Sequence, residues 1–297
     1  MGNARHGRGG GARAVSTGPS WVLAWLALLP GLLVVLAATG CARPDNWVQT
    51  YPDIAARARR DPQSVFAEMY ARWDDLHGMV GSYQVRARRG LSSRTIDTQI
   101  YLLRDAFVEI QVIAPTFTSE GYLGVGTKEV GLWIAGDPCL YRGPNEPGAF
   151  GRALGIALTP ANIVATLMGY AVPLGGNATA TWDQRARRIR VTAEGVTAWL
   201  HPVSGRFERV LVNTSSGPID IEYREWSGNN PPVPVRMDID VAAEGITLQL
   251  RLAPAWIANP EGLDRAFFDD MSVAGAVDCP LEQLALEGGL LRRGLGR

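Results

Sequence analysis

The clearest chemistry in this 297-residue chain belongs to a cysteine that follows a greasy run. Residues 21–38, WVLAWLALLPGLLVVLAA, are apolar, and Ala38-Thr39-Gly40-Cys41 closes the run. Arg5, Arg8 and Arg13 precede it with no acid among them. Small residues before a cysteine at the end of a basic and then apolar leader resemble a bacterial lipobox. On that reading residues 1–40 are removed and Cys41 becomes a lipid-bearing N-terminus. The other reading is a plain anchor, since eighteen apolar residues just suffice to cross a bilayer. Either way the rest of the chain is expected outside the cytoplasm.

Other reactive groups are sparse. The remaining cysteines, Cys139 and Cys279, would close a loop of about 140 residues, which the chain-entropy account values at roughly 5 kcal/mol. Spacing alone does not decide whether they pair or stay free thiols. His77 and His201 have no Cys, His or carboxylate at metal-ligand spacing, so no metal is expected. No HExxH, GxSxG or Walker-type loop occurs, and no catalytic residue or cofactor is assigned. Gly121–Gly126 is only loosely glycine-loop-like and has no helix after it. Asp238/Asp240 and Asp269-Asp270 read as solvated strand and loop acids. Arg185, Arg187, Arg188 and Arg190 crowd one hairpin and suit acidic partners or lipid headgroups.

Without residues 1–40, 26 basic residues face 29 acidic ones, a net charge of −3. Nothing in that balance attracts nucleic acid. The remaining 257 residues suffice for one large β domain or two small ones.

The elements follow from periodicity. Residues 41–60 read as a polar linker. Asp61 and Pro62 open a helix whose stripe is Val65, Phe66, Met69, Tyr70, Trp73 and Leu76, with Gly78 at its end. From residue 81 the period becomes two: Tyr83/Val85/Ala87, Ile96/Thr98/Ile100/Leu102, Val108/Ile110/Val112 and Val130/Leu132/Ile134. Thr159 and Pro160 open a second helix carrying Ile163, Val164, Leu167 and Met168. Seven further strand-like runs fill residues 178–252. About a dozen strands with one apolar face must bury it. The fold class is therefore mostly β with two or three short helices: a large antiparallel sheet curled into a half-barrel, the helices covering its open face. The expected domain spans 61–259, and 260–297 reads as a partly disordered tail.

The order of these parts resembles the LolB-type outer-membrane lipoprotein receptors within the LolA/LolB-like half-barrel group, over about residues 62–259. Val108–Pro115 is similar to that family's strand running into a Pro-containing loop. Ala157–Pro173 is similar to its second helix. Val233–Met237, Glu244–Leu252 and Trp256-Ile257 are similar to its last strand pair and Trp-bearing end. The longer tail and the two cysteines depart from the pattern.

The resemblance implies a lipid-anchored, non-enzymatic carrier or receptor that holds acyl chains of lipoproteins, or another lipid, in the half-barrel. It implies a periplasmic carrier protein as a candidate partner and an outer-membrane location facing the periplasm. Ala42 agrees, since an Asp after the lipidated cysteine is the usual inner-membrane retention signal; anchoring in the inner membrane by residues 21–38 is the alternative. The residue implicated in the family's membrane step corresponds to Phe117. Cavity candidates are Ile100, Leu102, Ile110, Val112, Leu132, Ile134, Met168, Met237, Ile239 and Leu248. The alternative function is a structural or assembly lipoprotein of the cell envelope that uses the same fold as a protein-binding scaffold.

Overall fold

The computed structural model describes residues 46–113, 119–146, 148–154, 158–170, 177–229 and 231–286. Cys41, Phe117 and residues 21–38 lie outside the described residues. The chain divides into two compact units after Asn46, and everything below concerns the second. No helix among the described residues is long and apolar enough to cross a membrane.

Three helices begin the unit: α1 (Trp47–Thr50), α2 (Pro52–Arg60) and α3 (Pro62–Tyr70), the last extended by a 3-10 turn at Ala71–Trp73. The expected linker is thus helical from residue 47. The reason is legible afterwards: α2 has Pro52 at its start, Asp53 in its first turn and Arg57, Arg59 and Arg60 in its last, which complements the helix dipole. Ala55 and Ala58 are buried, so α2 lies close to its neighbours. Trp47 is buried against Trp182 and His201, with ring centroids 6.0 and 5.3 Å away. Asp61 caps α3 through the Ser64 amide, at 3.1 Å. Gly78, expected to end this helix, instead begins a strand.

Six strands follow: β1 (Gly78–Arg89), β2 (Ser92–Leu103), β3 (Phe107–Ile113), β4 (Ser119–Val125), β5 (Glu129–Ile134) and β6 (Cys139–Pro144). Then come α4 (Ala149–Leu154) and α5 (Pro160–Met168). The second run contains β7 (Thr179–Asp183), β8 (Arg188–Ala193), β9 (Val196–Leu200), β10 (Phe207–Thr214), β11 (Gly217–Trp226), β12 (Pro234–Val241) and β13 (Ile246–Leu252). The short β14 (Ile257–Ala258) pairs with β1. Last are α6 (Arg265–Asp269), β15 (Val277–Pro280) and α7 (Leu281–Leu286).

These strands make one open sheet in the order β15-β6-β5-β4-β3-β2-β1-β13-β12-β11-β10-β9-β8-β7. Every pairing is antiparallel except β15 on β6. The sheet must curl. Gln63, at the start of α3, holds the Ala178 carbonyl (3.2 Å) and the Ala180 amide (2.7 Å) at β7. Arg104, just past β2, donates to the Trp73 carbonyl at 2.6 Å. From β2 to β7 is eight strand steps, roughly 38 Å if flat. Gln63 to Trp73 along a helix is only about 15 Å, too short even with two long side chains added. The result is the expected half-barrel, with its inner face and helices in one core.

Part of the expected tail folds as well. Asp264 caps α6 through the Phe267 amide, at 3.1 Å. The chain then crosses the outer face of β2–β6 as a strap, and Cys279 is joined to Cys139 by a disulfide with Cα atoms 5.5 Å apart. Leu281 and Leu284 of α7 finish inside the main core. Gly143 is needed there, since a Cβ on it would stand 2.8 Å from the Leu281 Cβ. Sequence patterning missed this because α6, β15 and α7 are too short to show a period.

Candidate functional site

Antiparallel strands place alternate residues on the inner face, and the register fixes which ones meet. One inner row is Leu102, Val108, Val125 and Val130, all fully buried. The next is Ile100, Ile110, Leu123 and Leu132, in which Ile110 is only half-buried. The third is Thr98, Val112, Gly121 and Ile134, in which Val112 and Ile134 are half-buried. On the other side Val85 stands between Leu250 and Ile96, and Val85 and Ile96 are also half-buried. Leu248, opposite Ala87, completes a partly open apolar strip with members on β13, β1, β2, β3 and β5.

The inner face therefore has two zones. Toward the β2–β3 turn it is sealed. There α5 lies over the sheet with Val164, Leu167 and Met168 buried. Thr159 caps it by accepting from the Asn162 amide at 3.2 Å, and Gly169 ends it in the left-handed region at φ 81°. Tyr83 and Tyr223 rise from the sheet and donate to the carbonyls of Leu167 (3.5 Å) and Thr166 (3.2 Å). Those carbonyls belong to the last turn, whose acceptors lack helical partners. Burial pushes both tyrosine hydroxyls well above their ordinary pKa. Toward the β1–β2 turn the face is only partly covered.

Of the ten cavity candidates, Ile100, Leu102, Leu132, Met168, Met237 and Ile239 are buried in the sealed core. Ile110, Val112, Ile134 and Leu248 fall on the half-buried strip. Sequence reasoning missed Val85 and Ile96 as strip members, although both carry the right period. A different cavity, of about 420 Å³, opens at the β2–β3 end; it is lined by Asp105, Phe107, Thr127, Asn145, Thr159 and Arg265 among others, and by none of the ten candidates. There Arg265 is ion-paired with Asp105.

Most of the remaining sequence candidates have structural partners. His201 Nδ1 accepts from the amides of Val203 (3.2 Å) and Ser204 (3.3 Å), which closes the β9–β10 turn. His77 is exposed. Asp238 accepts from Arg224 at 2.8 Å, and Asp269 accepts from the Thr127 amide at 2.7 Å. Gly121–Val125 is strand, paired on both sides. Arg188 of the arginine hairpin is committed to Glu208, at 2.6 Å. Among the described residues no cluster of three or more His, Cys, Asp or Glu is arranged to hold a metal ion.

No protein-family profile matches the sequence, and no curated protein matches it. Solved structures with a similar chain trace do exist. A putative outer membrane lipoprotein-sorting protein domain from Vibrio parahaemolyticus aligns with 69% of this chain and 95% of its own, at 12% identity and TM-score 0.49. A DUF1329 family protein from Desulfovibrio piger aligns over 71% and 97%, at 12% identity and TM-score 0.48. A LolA superfamily protein from Nitrosomonas europaea aligns over 69% and 96%, at 10% identity and TM-score 0.47.

Proposed function

We propose that this protein is a lipid-anchored, non-enzymatic carrier or receptor whose half-barrel takes up an acyl chain of a lipoprotein or a similar lipid. The half-buried strip of Val85, Ile96, Ile110, Val112, Ile134 and Leu248 carries this reading. Apolar side chains left partly open inside a concave sheet gain from a guest that removes water from them. Each methylene so buried contributes about 0.8 kcal/mol, so part of one acyl chain suffices for capture. Specificity of that kind needs no catalytic group.

The finer reading is a LolB-type receptor. In it Cys41 carries the lipid anchor, the body faces the periplasm from the outer membrane, and Phe117 acts in the membrane step. The strand ends that flank Phe117, Ile113 and Ser119, are level with Asp97, midway along β2, next to the row that holds Val112 and Ile134. A periplasmic carrier protein would hand over the cargo.

The test is uptake of a fluorescent fatty acid, comparing wild type with Val112→Asp and Val112→Trp. The first puts a charge in the strip and the second fills it. Both variants are expected to lose uptake while keeping the wild-type circular dichroism spectrum. Undiminished uptake by both would reject the strip as the site. For the finer reading, Phe117→Glu is expected to bind the probe but fail to pass it to vesicles.

A further inference from the structure

We propose that the tip of the β1–β2 hairpin is a contact surface for an anionic phospholipid bilayer. The two longest strands, twelve residues each, meet there through Gly90-Leu91. Gly90 has φ +57°, which lets the turn close without strain. Leu91 is 101% exposed, the most open of the large apolar side chains among the described residues. A leucine held clear of the body on a paired hairpin gains nothing in water, whereas it gains from entering the headgroup boundary.

A collar of cations surrounds it. Arg86, Arg88 and Arg94 are exposed and Arg89 is half-buried, with no acid between residues 86 and 94. Arg86 donates to the Ser93 hydroxyl at 3.2 Å and Arg88 to the Gly90 carbonyl at 3.2 Å, which leaves most of each guanidinium open to an outside acceptor. On the neighbouring β13, the residues opposite Arg86, Arg88 and Arg89 are Gln249, Thr247 and Ile246. Among the described residues four acids stand nearby: Glu120 meets Arg94 at 3.6 Å, Glu244 lies in the adjoining 3-10 turn, Asp97 is diagonal to Arg86 across β1–β2, and Asp240 lies one strand beyond Thr247. One apolar tip within a basic collar fits an anionic lipid surface, since the arginine stems lie on the apolar boundary while their heads reach phosphate. The paired strands preorganise the arrangement, so little ordering is needed on contact.

This surface depends neither on the acyl-chain strip nor on Cys41. Among the described residues the core lies in the unit that begins at Trp47, and the test uses that unit once circular dichroism has shown that it folds without residues 1–46. Its binding to sedimenting vesicles of phosphatidylglycerol is compared with binding to vesicles of phosphatidylcholine. The expected result is clear preference for phosphatidylglycerol. Arg86→Gln and Arg88→Gln should each weaken it about fivefold. Leu91→Ser should weaken it about tenfold, while Arg209→Gln on the outer face leaves it unchanged. All four positions are exposed enough to change without harm to the core. Equal binding to both vesicles would overturn the proposal, and so would equal loss in Arg209→Gln. Sensitivity to the arginines with indifference to Leu91 would mark a general polyanion site and also overturn it. Retained fatty-acid uptake by Leu91→Ser separates this outcome from failure of the carrier reading.

Discussion

Beneath the C-terminal strap, the outer face of β2–β6 is a second interior, whereas the outer face of β8–β12 is a lattice of charges in water. Under the strap Phe268 packs on Phe107 with centroids 5.8 Å apart, and Phe267 on Tyr101 at 5.1 Å. Met271 joins Tyr122 and Leu140 in a small core of its own. Glu109 is buried there, with Gln111 donating to it at 2.6 Å. On the other half, Arg188, itself buried, pairs with Glu208, and in the open Arg209 pairs with Asp220 and Arg224 with both Glu222 and Asp238. Arg209 also covers Trp199, 5.5 Å from the ring centre. The same sheet therefore ends against protein on one half and against solvent on the other. Its outward residues, not its inward ones, tell the halves apart.

The largest effect is expected from replacing both Cys139 and Cys279 with Ser. Loop closure sets an upper bound of roughly 5 kcal/mol on the loss, read from urea unfolding. Hydrogen exchange in β2–β6 should accelerate more than in β8–β12; uniform acceleration would show that the strap does not stabilise one half selectively. Next, Phe268→Ala removes a fully buried ring and should cost about 4 kcal/mol, against less than about 1 kcal/mol for Arg209→Gln in the exposed lattice.

Two carboxylates should respond to pH with opposite sign. Burial, chiefly, holds the Glu109 carboxyl above its ordinary pKa, and nearby Asp270 adds to this. Its contribution is intact in acid and is lost as pH rises through that raised value. Glu109→Gln should thus raise Tm at neutral pH and leave it unchanged in acid. Asp183 lies below its ordinary pKa because the Ala186 amide and the Trp199 indole donate to its carboxylate. Its contribution is present at neutral pH and lost as pH falls, so Asp183→Asn should lower Tm slightly at neutral pH only. Thermal melts at two pH values check both; matching signs would refute the assignment.

Much of this was legible in sequence. Period-two runs such as Ile96–Leu102 set the strands, and Asp61-Pro62 and Thr159-Pro160 set two helix starts. Four of the ten interior candidates fall on the half-buried strip. What stayed hidden was long-range or short. The α1–α2 pair shows only two alanines and one tryptophan as its buried face, too little to outweigh its polar composition. The strap was readable in part: Tyr101, Phe107, Tyr122, Trp133 and Leu140 all point outward from β2–β6, an apolar row that has to be covered. Cysteine proximity depended on a parallel pairing of β15 with β6 that no local pattern announces.

The proposed carrier role requires the inner face to hold an acyl chain. Native mass spectrometry of the protein extracted from its own membrane tests it most directly. A bound lipid mass is expected, and Val112→Trp should abolish it. A protein that arrives empty, and that takes up no added fatty acid, would contradict that role.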